Sequence, residues 1–134
     1  MDMAGCDFDT TVLVAIDFDG TLTKEDRYPD TVFELDEIAI EYAKRIREMG
    51  ANLILRTCRT DGKLDEALTA LESTGLVFDY VNNGNGLRHD DGLKINADIY
   101  IDDKANDGRI RWHRIMSRIE LLIRSRREIS DTEL

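Results

Sequence analysis

At 134 residues and 15.3 kDa the chain has the size of one domain, long enough to bury a core without disulfide or metal staples. With 42% hydrophobic and 34% charged residues its composition is globular, and no apolar run approaches the roughly 18 residues of a membrane span. A net charge of −10 argues against a general nucleic-acid binder. Cys6 and Cys58 make no disulfide framework, and residues 1–7 lack the basic region and apolar stretch of a secretory signal, so a cytoplasmic setting is expected. The charge is uneven: Lys104 and seven arginines against Asp107 and Glu120 give residues 104–127 a net +6. Such a stripe reads as a solvated helix face or as a partner surface.

Residues 1–10 contain an Asp7-Phe8-Asp9-Thr10 run that no apolar strand precedes and no glycine follows, so they read as a flexible, exposed terminus. Residues 11–16 are continuously apolar and rich in β-branched side chains, which predicts a strand buried on both faces. Leu35, Ile38, Ala39, Tyr42, Ile46 and Met49 recur at helical spacing, and Gly50 stands where a C-cap belongs. Residues 52–55 predict a second strand. Leu64, Ala67, Leu68 and Leu71 form a second helical stripe, opened by Asp61 as a cap and closed by Gly75. Residues 76–81 predict a third strand and 82–86 a loop, which lacks the lysine and serine of a nucleotide P-loop. Residues 97–101 predict a fourth strand, and an apolar stripe from Trp112 to Ile123 a long closing helix, with Trp112 in its core face. This alternation implies a single α/β domain over residues 1–134. The expected form is a three-layer, Rossmann-like parallel sheet of about four strands in the order 4-1-2-3, with helices on both faces. Only short loops fit at 22–34 and 82–96, so any cap over the sheet is minimal.

Parallel α/β sheets bind ligands beyond the carboxyl ends of their strands. There stand Asp17-Phe18-Asp19-Gly20-Thr21 after the first strand, Arg56-Thr57-Cys58-Arg59 after the second, and Asp102-Asp103 after the fourth, which Lys94 precedes. Four carboxylates meeting on one edge repel one another strongly at low effective dielectric, so a cation belongs among them. Carboxylate and carbonyl oxygens with room for water suit Mg²⁺. Gly20 lets the chain turn or approach a ligand closely. Arg59 has two readings, a grip on a substrate anion or an ion pair with a surface acid. Cys58 has leucine, not arginine, six residues on, and reads as a half-buried bystander to the chemistry. His89 and His113 have no ligand spacing.

Residues 12–21, which run through Asp17-Phe18-Asp19-Gly20-Thr21, resemble the first motif of the haloacid dehalogenase superfamily. Thr57 matches its second motif and Lys94 its third. Ile99-Tyr100-Ile101-Asp102-Asp103, with Asp107, matches the acidic fourth. The order is the family's, over residues 11–107, and the likeness is to its small hydrolase-like members with a minimal cap. Lys104 competes for the lysine position, but the family's lysine precedes the last strand as Lys94 does.

The resemblance implies a Mg²⁺-dependent phosphomonoester hydrolase acting through an aspartyl-phosphate intermediate. Asp17 would be the nucleophile and Asp19 the general acid and base. Thr57 would hydrogen-bond a phosphoryl oxygen, and Lys94 would offset the charge of the intermediate. The metal would be held by Asp17, the backbone carbonyl of Asp19 and one or both of Asp102 and Asp103. Asp103 is the better match, with Asp107 in support. Gly20, Thr21 and Arg59 are expected at the substrate.

Two other functions compete: a receiver-like signalling module phosphorylated on aspartate, and a protein of this type that binds a phosphate compound or a partner without turnover. A receiver orders its motifs differently, and the third strand here ends without an aspartate. The open site suits a phosphorylated macromolecule, or a small phosphate ester shielded by a second subunit of a homo-oligomer. A membrane partner is not expected, and the acidity weighs against nucleic acid.

Overall fold

The computed structural model describes residues 12–24, 33–83, 86–87, 97–102 and 110–132. Its centre is β1 (Leu13–Asp17), where Val14, Ala15 and Ile16 are all buried, as a strand covered on both faces requires. β1 pairs in parallel with β2 (Asn52–Arg56) on one side and β5 (Ile99–Ile101) on the other, and β2 pairs in parallel with β3 (Tyr80–Asn83). A fifth strand, β4 (Gly86–Leu87), runs antiparallel to β3, so the sheet reads β4-β3-β2-β1-β5. From the opposite edge the parallel strands follow one another as β5-β1-β2-β3.

The third strand and its loop depart from expectation. Asn82 and Asn83 end β3 and pair with β4, where the sequence predicts a loop. Asparagine and glycine break a strand but also serve a hairpin, and only the pairing separates the two. The apolar run at 76–78 precedes β3 and buries Leu76 in the core instead of joining the ladder.

Helix α1 (Glu37–Glu48) starts at Asp36, whose Oδ1 accepts the N–H of Ile38 at 3.0 Å and of Ala39 at 3.2 Å, and it stops before Gly50, at φ 107°. Helix α2 (Asp61–Ser73) takes Thr60, not Asp61, at its N-cap position; Asp61 is its first residue, with φ 50°. Helix α3 (Trp112–Thr132) closes the chain. Among the described residues no helix is long and apolar enough to cross a membrane.

Both crossovers, β1-α1-β2 and β2-α2-β3, step in the same direction along the sheet. Right-handed connections then place α1 and α2 on the same face. Helix α3 joins them there, with the Trp112 ring stacked on Tyr42 of α1 at 5.2 Å and 2°. Val14, Ile16, Leu53, Leu55, Val81, Ile99 and Ile101 meet these helices in one buried cluster with Ala39, Ile46, Leu64, Ala67, Leu71 and Ile119. Helices on both faces are therefore not found among the described residues. The other face presents a row set by the strand register: Tyr100, Ala15, Ile54 and Tyr80.

The amino edge of the sheet repeats one device. Asp79, just before β3, donates its N–H to Leu53 O at 2.9 Å, while its Oδ2 accepts Leu53 N–H at 2.8 Å and its Oδ1 meets Arg47 of α1 at 3.0 Å. Asp98, just before β5, does the same with Leu13, at 2.8 Å for both bonds, and accepts from Nη2 and Nη1 of Arg126 on α3 at 2.6 and 3.0 Å. Each aspartate lengthens the ladder and ties a helix to it. The Arg126 hydrogen bonds, helped by Leu13 N–H and opposed by partial burial, hold the Asp98 carboxyl below its ordinary range.

A carboxyl lowered in the folded chain stabilises above its unfolded pKa, and the effect is lost as pH falls through the lowered value. Asp98→Asn should therefore cost about 1 kcal/mol at neutral pH, a modest sum for a partly exposed pair. In urea melts the gap to wild type should narrow as pH drops below about 4.

Candidate active site

β1 delivers Asp17 to the carboxyl edge as its last residue. Because Ile16 is in register with Ile101, the next residues along, Asp17 and Asp102, fall at neighbouring strand ends. Both are half-buried. Asp17 is also in register with Arg56, and Arg56 with Asn82, so the final row runs Asp102, Asp17, Arg56, Asn82. Thr57 follows directly. Its N–H continues the ladder to Asn82 O at 3.1 Å, and its hydroxyl oxygen accepts Arg59 N–H at 3.0 Å. The hydroxyl keeps its own proton to donate.

Beyond Asp17 the chain makes one wide turn over Phe18–Leu22, closed by Thr23 N–H on Phe18 O at 3.2 Å. Gly20 adopts φ 86°, which L side chains rarely take, so glycine is required here. Phe18 and Leu22 anchor the turn in the core.

The turn sends Asp19 inward. Arg59, fully buried, grips both carboxylate oxygens: Nε donates to Oδ2 at 2.9 Å and Nη2 to Oδ1 at 2.7 Å. The guanidinium lies 5.3 Å from the Phe18 ring centroid and 5.2 Å from that of Phe33, and the two rings meet edge to face at 5.2 Å. A cation enclosed by one carboxylate and two ring faces is compensated on three sides.

The three residues expected at the substrate stand as follows. Arg59 is committed to an acid, and that acid is Asp19 in the interior, not one at the surface. Gly20 N–H donates to Thr23 Oγ1 at 2.9 Å, inside the turn. Thr21 is buried. Cys58 is exposed, where the sequence reads it as half-buried. Lys94 and Asp103 lie outside the described residues, as do Lys104, Asp107 and His89.

Arg56 was given no role by the sequence, although it sits at a strand end directly before Thr57. Its side chain is exposed, with the guanidinium carbon 5.1 Å from the Tyr100 ring centroid. An exposed cation–π contact of this kind is worth about 0.5–1 kcal/mol.

As metal donors, Asp17 and Asp102 offer two hard carboxylates side by side, and Asp19, whose carboxylate is turned to Arg59, offers its backbone carbonyl. Among the described residues no three acidic, histidine or cysteine side chains gather as a ligand group. Two carboxylates and a carbonyl, completed by water, fit Mg²⁺ in chemical kind, because that ion commonly keeps several waters.

No protein-family model and no curated protein matches the chain. Among solved structures, a conserved protein of Bacteroides thetaiotaomicron superimposes with a TM-score of 0.67 at 33% identity, over 82% of this chain and 90% of that one. The chain belongs to that protein's family. A second member of the comparison, from Vibrio cholerae, shares 20% identity with a TM-score of 0.50 over 86% of this chain and 98% of its own, a likeness to this family in fold alone.

Replacing Arg59 with methionine strands a buried carboxylate and should cost about 3–5 kcal/mol in denaturant unfolding. Adding Asp19→Leu should recover part of that loss, giving a double-mutant cycle far from additive. Additive effects would mean that the pair does not couple.

Proposed function

We propose that the chain is a Mg²⁺-dependent phosphomonoester hydrolase of the haloacid dehalogenase type, with a minimal cap and an aspartate nucleophile. The observation that carries the reading is the strand register. It sets Asp17 beside Asp102 and brings the Thr57 hydroxyl to the same edge, from three separate stretches of sequence. Asn82-Asn83, ending β3, offer no carboxylate for the receiver alternative.

In this reading an Asp17 oxygen attacks phosphorus, and the ester P–O bond breaks as the leaving oxygen takes a proton from Asp19. A water then attacks the aspartyl phosphate. Its proton returns to Asp19, the P–O bond to Asp17 breaks, and inorganic phosphate leaves. Asp19 can act only when one of its oxygens leaves Arg59, so the pair as described is the resting arrangement. Thr57 donates to a phosphoryl oxygen. The family resemblance assigns Lys94 to the charge of the intermediate and adds Asp103 to the metal donors. Held by Asp17, Asp102 and the Asp19 carbonyl, Mg²⁺ would supply positive charge against the phosphoryl oxygens.

Hydrolysis of p-nitrophenyl phosphate should require Mg²⁺, stop with chelator, and fall at least about a thousandfold in Asp17→Asn. Turnover that survives this substitution would sink the reading.

A further inference from the structure

We propose that Arg56 recognises a second anionic group on the substrate, so that the preferred esters carry a carboxylate or a further phosphate beyond the phosphoryl that is transferred. The proposal rests on the hydrolase reading above and adds the substrate class to it.

Two arginines flank Thr57, and the structure uses them oppositely. Arg59 is enclosed with Asp19. Arg56 is exposed, and among the described residues it forms no ion pair. Its position in register with Asp17 puts its backbone one strand spacing, about 5 Å, from the nucleophile's. Paired residues of a parallel ladder point to the same face, so Arg56, Asp17 and Asp102 share one side of the carboxyl edge.

The guanidinium lies along that edge. It reaches across β1 to the ring of Tyr100 on β5, itself 50% exposed. Ala15, in register with both Ile54 and Tyr100, has no side chain beyond Cβ to block the reach. The cation–π contact draws the guanidinium toward the ring while leaving its donors for a ligand, and a planar fork of donors matches a carboxylate or phosphate. A substrate with a further negative group meets a chain of net charge −10, and an exposed arginine in register with Asp17 offers it a local positive counterpart.

The test compares kcat/KM, with Mg²⁺, for phosphoglycolate and 3-phosphoglycerate against their carboxylate-free counterparts ethyl phosphate and glycerol phosphate. Wild type should prefer a carboxylate-bearing ester. Arg56→Ala should cut that preference about tenfold or more, chiefly through KM, and Arg56→Lys should restore part of it. Equal losses on esters with and without the carboxylate, or an unchanged ratio, would overturn the proposal.

Calorimetric binding of the same two acids to Asp17→Asn, with and without Arg56→Ala, reads recognition without turnover. A loss of affinity of about tenfold supports the proposal even for a chain that hydrolyses no ester, which would count against the hydrolase reading alone. Unchanged affinity, or no binding of either acid, overturns it.

Discussion

The buried pair of Asp19 and Arg59 is the constraint on which the carboxyl edge depends. It joins the turn after β1 to the loop after β2, and it forms only when both are in place. The two bonds, at 2.9 and 2.7 Å, use two guanidinium nitrogens and both carboxylate oxygens, a geometry that one arrangement of the loops satisfies. A buried ion pair is no large source of stability compared with an apolar replacement, because desolvation offsets much of the attraction. Its contribution is positional. With the pair formed, the turn after β1 and the loop after β2 are tied to each other, and Phe18 and Phe33 close over the cation.

The two edges of the sheet handle aspartate differently. At the amino edge, Asp79 and Asp98 each meet a backbone N–H of the neighbouring strand and an arginine from a helix, so their charges are compensated by construction. At the carboxyl edge Asp17 and Asp102 stand at neighbouring strand ends, where the proposed function puts a cation. At the amino edge these bonds tie helices to strands, and at the carboxyl edge the Asp19–Arg59 pair ties one loop to another. Strand register alone sets Asp17 and Asp102 at adjacent positions of that edge.

Much of this was legible in the sequence where the signal is local. The β-branched run of β1, the Gly50 stop of α1 and the helical stripes follow from side-chain period and capping, which need no knowledge of the rest of the chain. Features set by non-local pairing were not legible. β4 exists only because Asn82 and Asn83 find Leu87 and Gly86, and Leu76 leaves the third strand because Asp79 already pairs with Leu53. Likewise, the face chosen by α3 depends on Tyr42 meeting Trp112 across two helices. In the site, Asp17, Thr57 and Asp102 fall where strand ends place them. The inward turn of Asp19 escaped prediction because it depends on a loop two elements away.

Arg56 and Arg59 show why residue type and spacing stop short of a site. They are three positions apart and chemically identical, yet one is at the solvent and the other enclosed. Position 56 is still in the ladder, so the pleat dictates its direction and aligns it with Asp17. Position 59 is beyond the ladder. There the chain is turned by the Arg59 N–H bonding to Thr57 Oγ1, and the side chain is aimed back at the turn after β1. A strand that ended one residue earlier would free position 56 from the pleat and remove its alignment with Asp17. The charge at the carboxyl edge is thus set by the length of β2, and its reach by the small side chain of Ala15 between Arg56 and Tyr100.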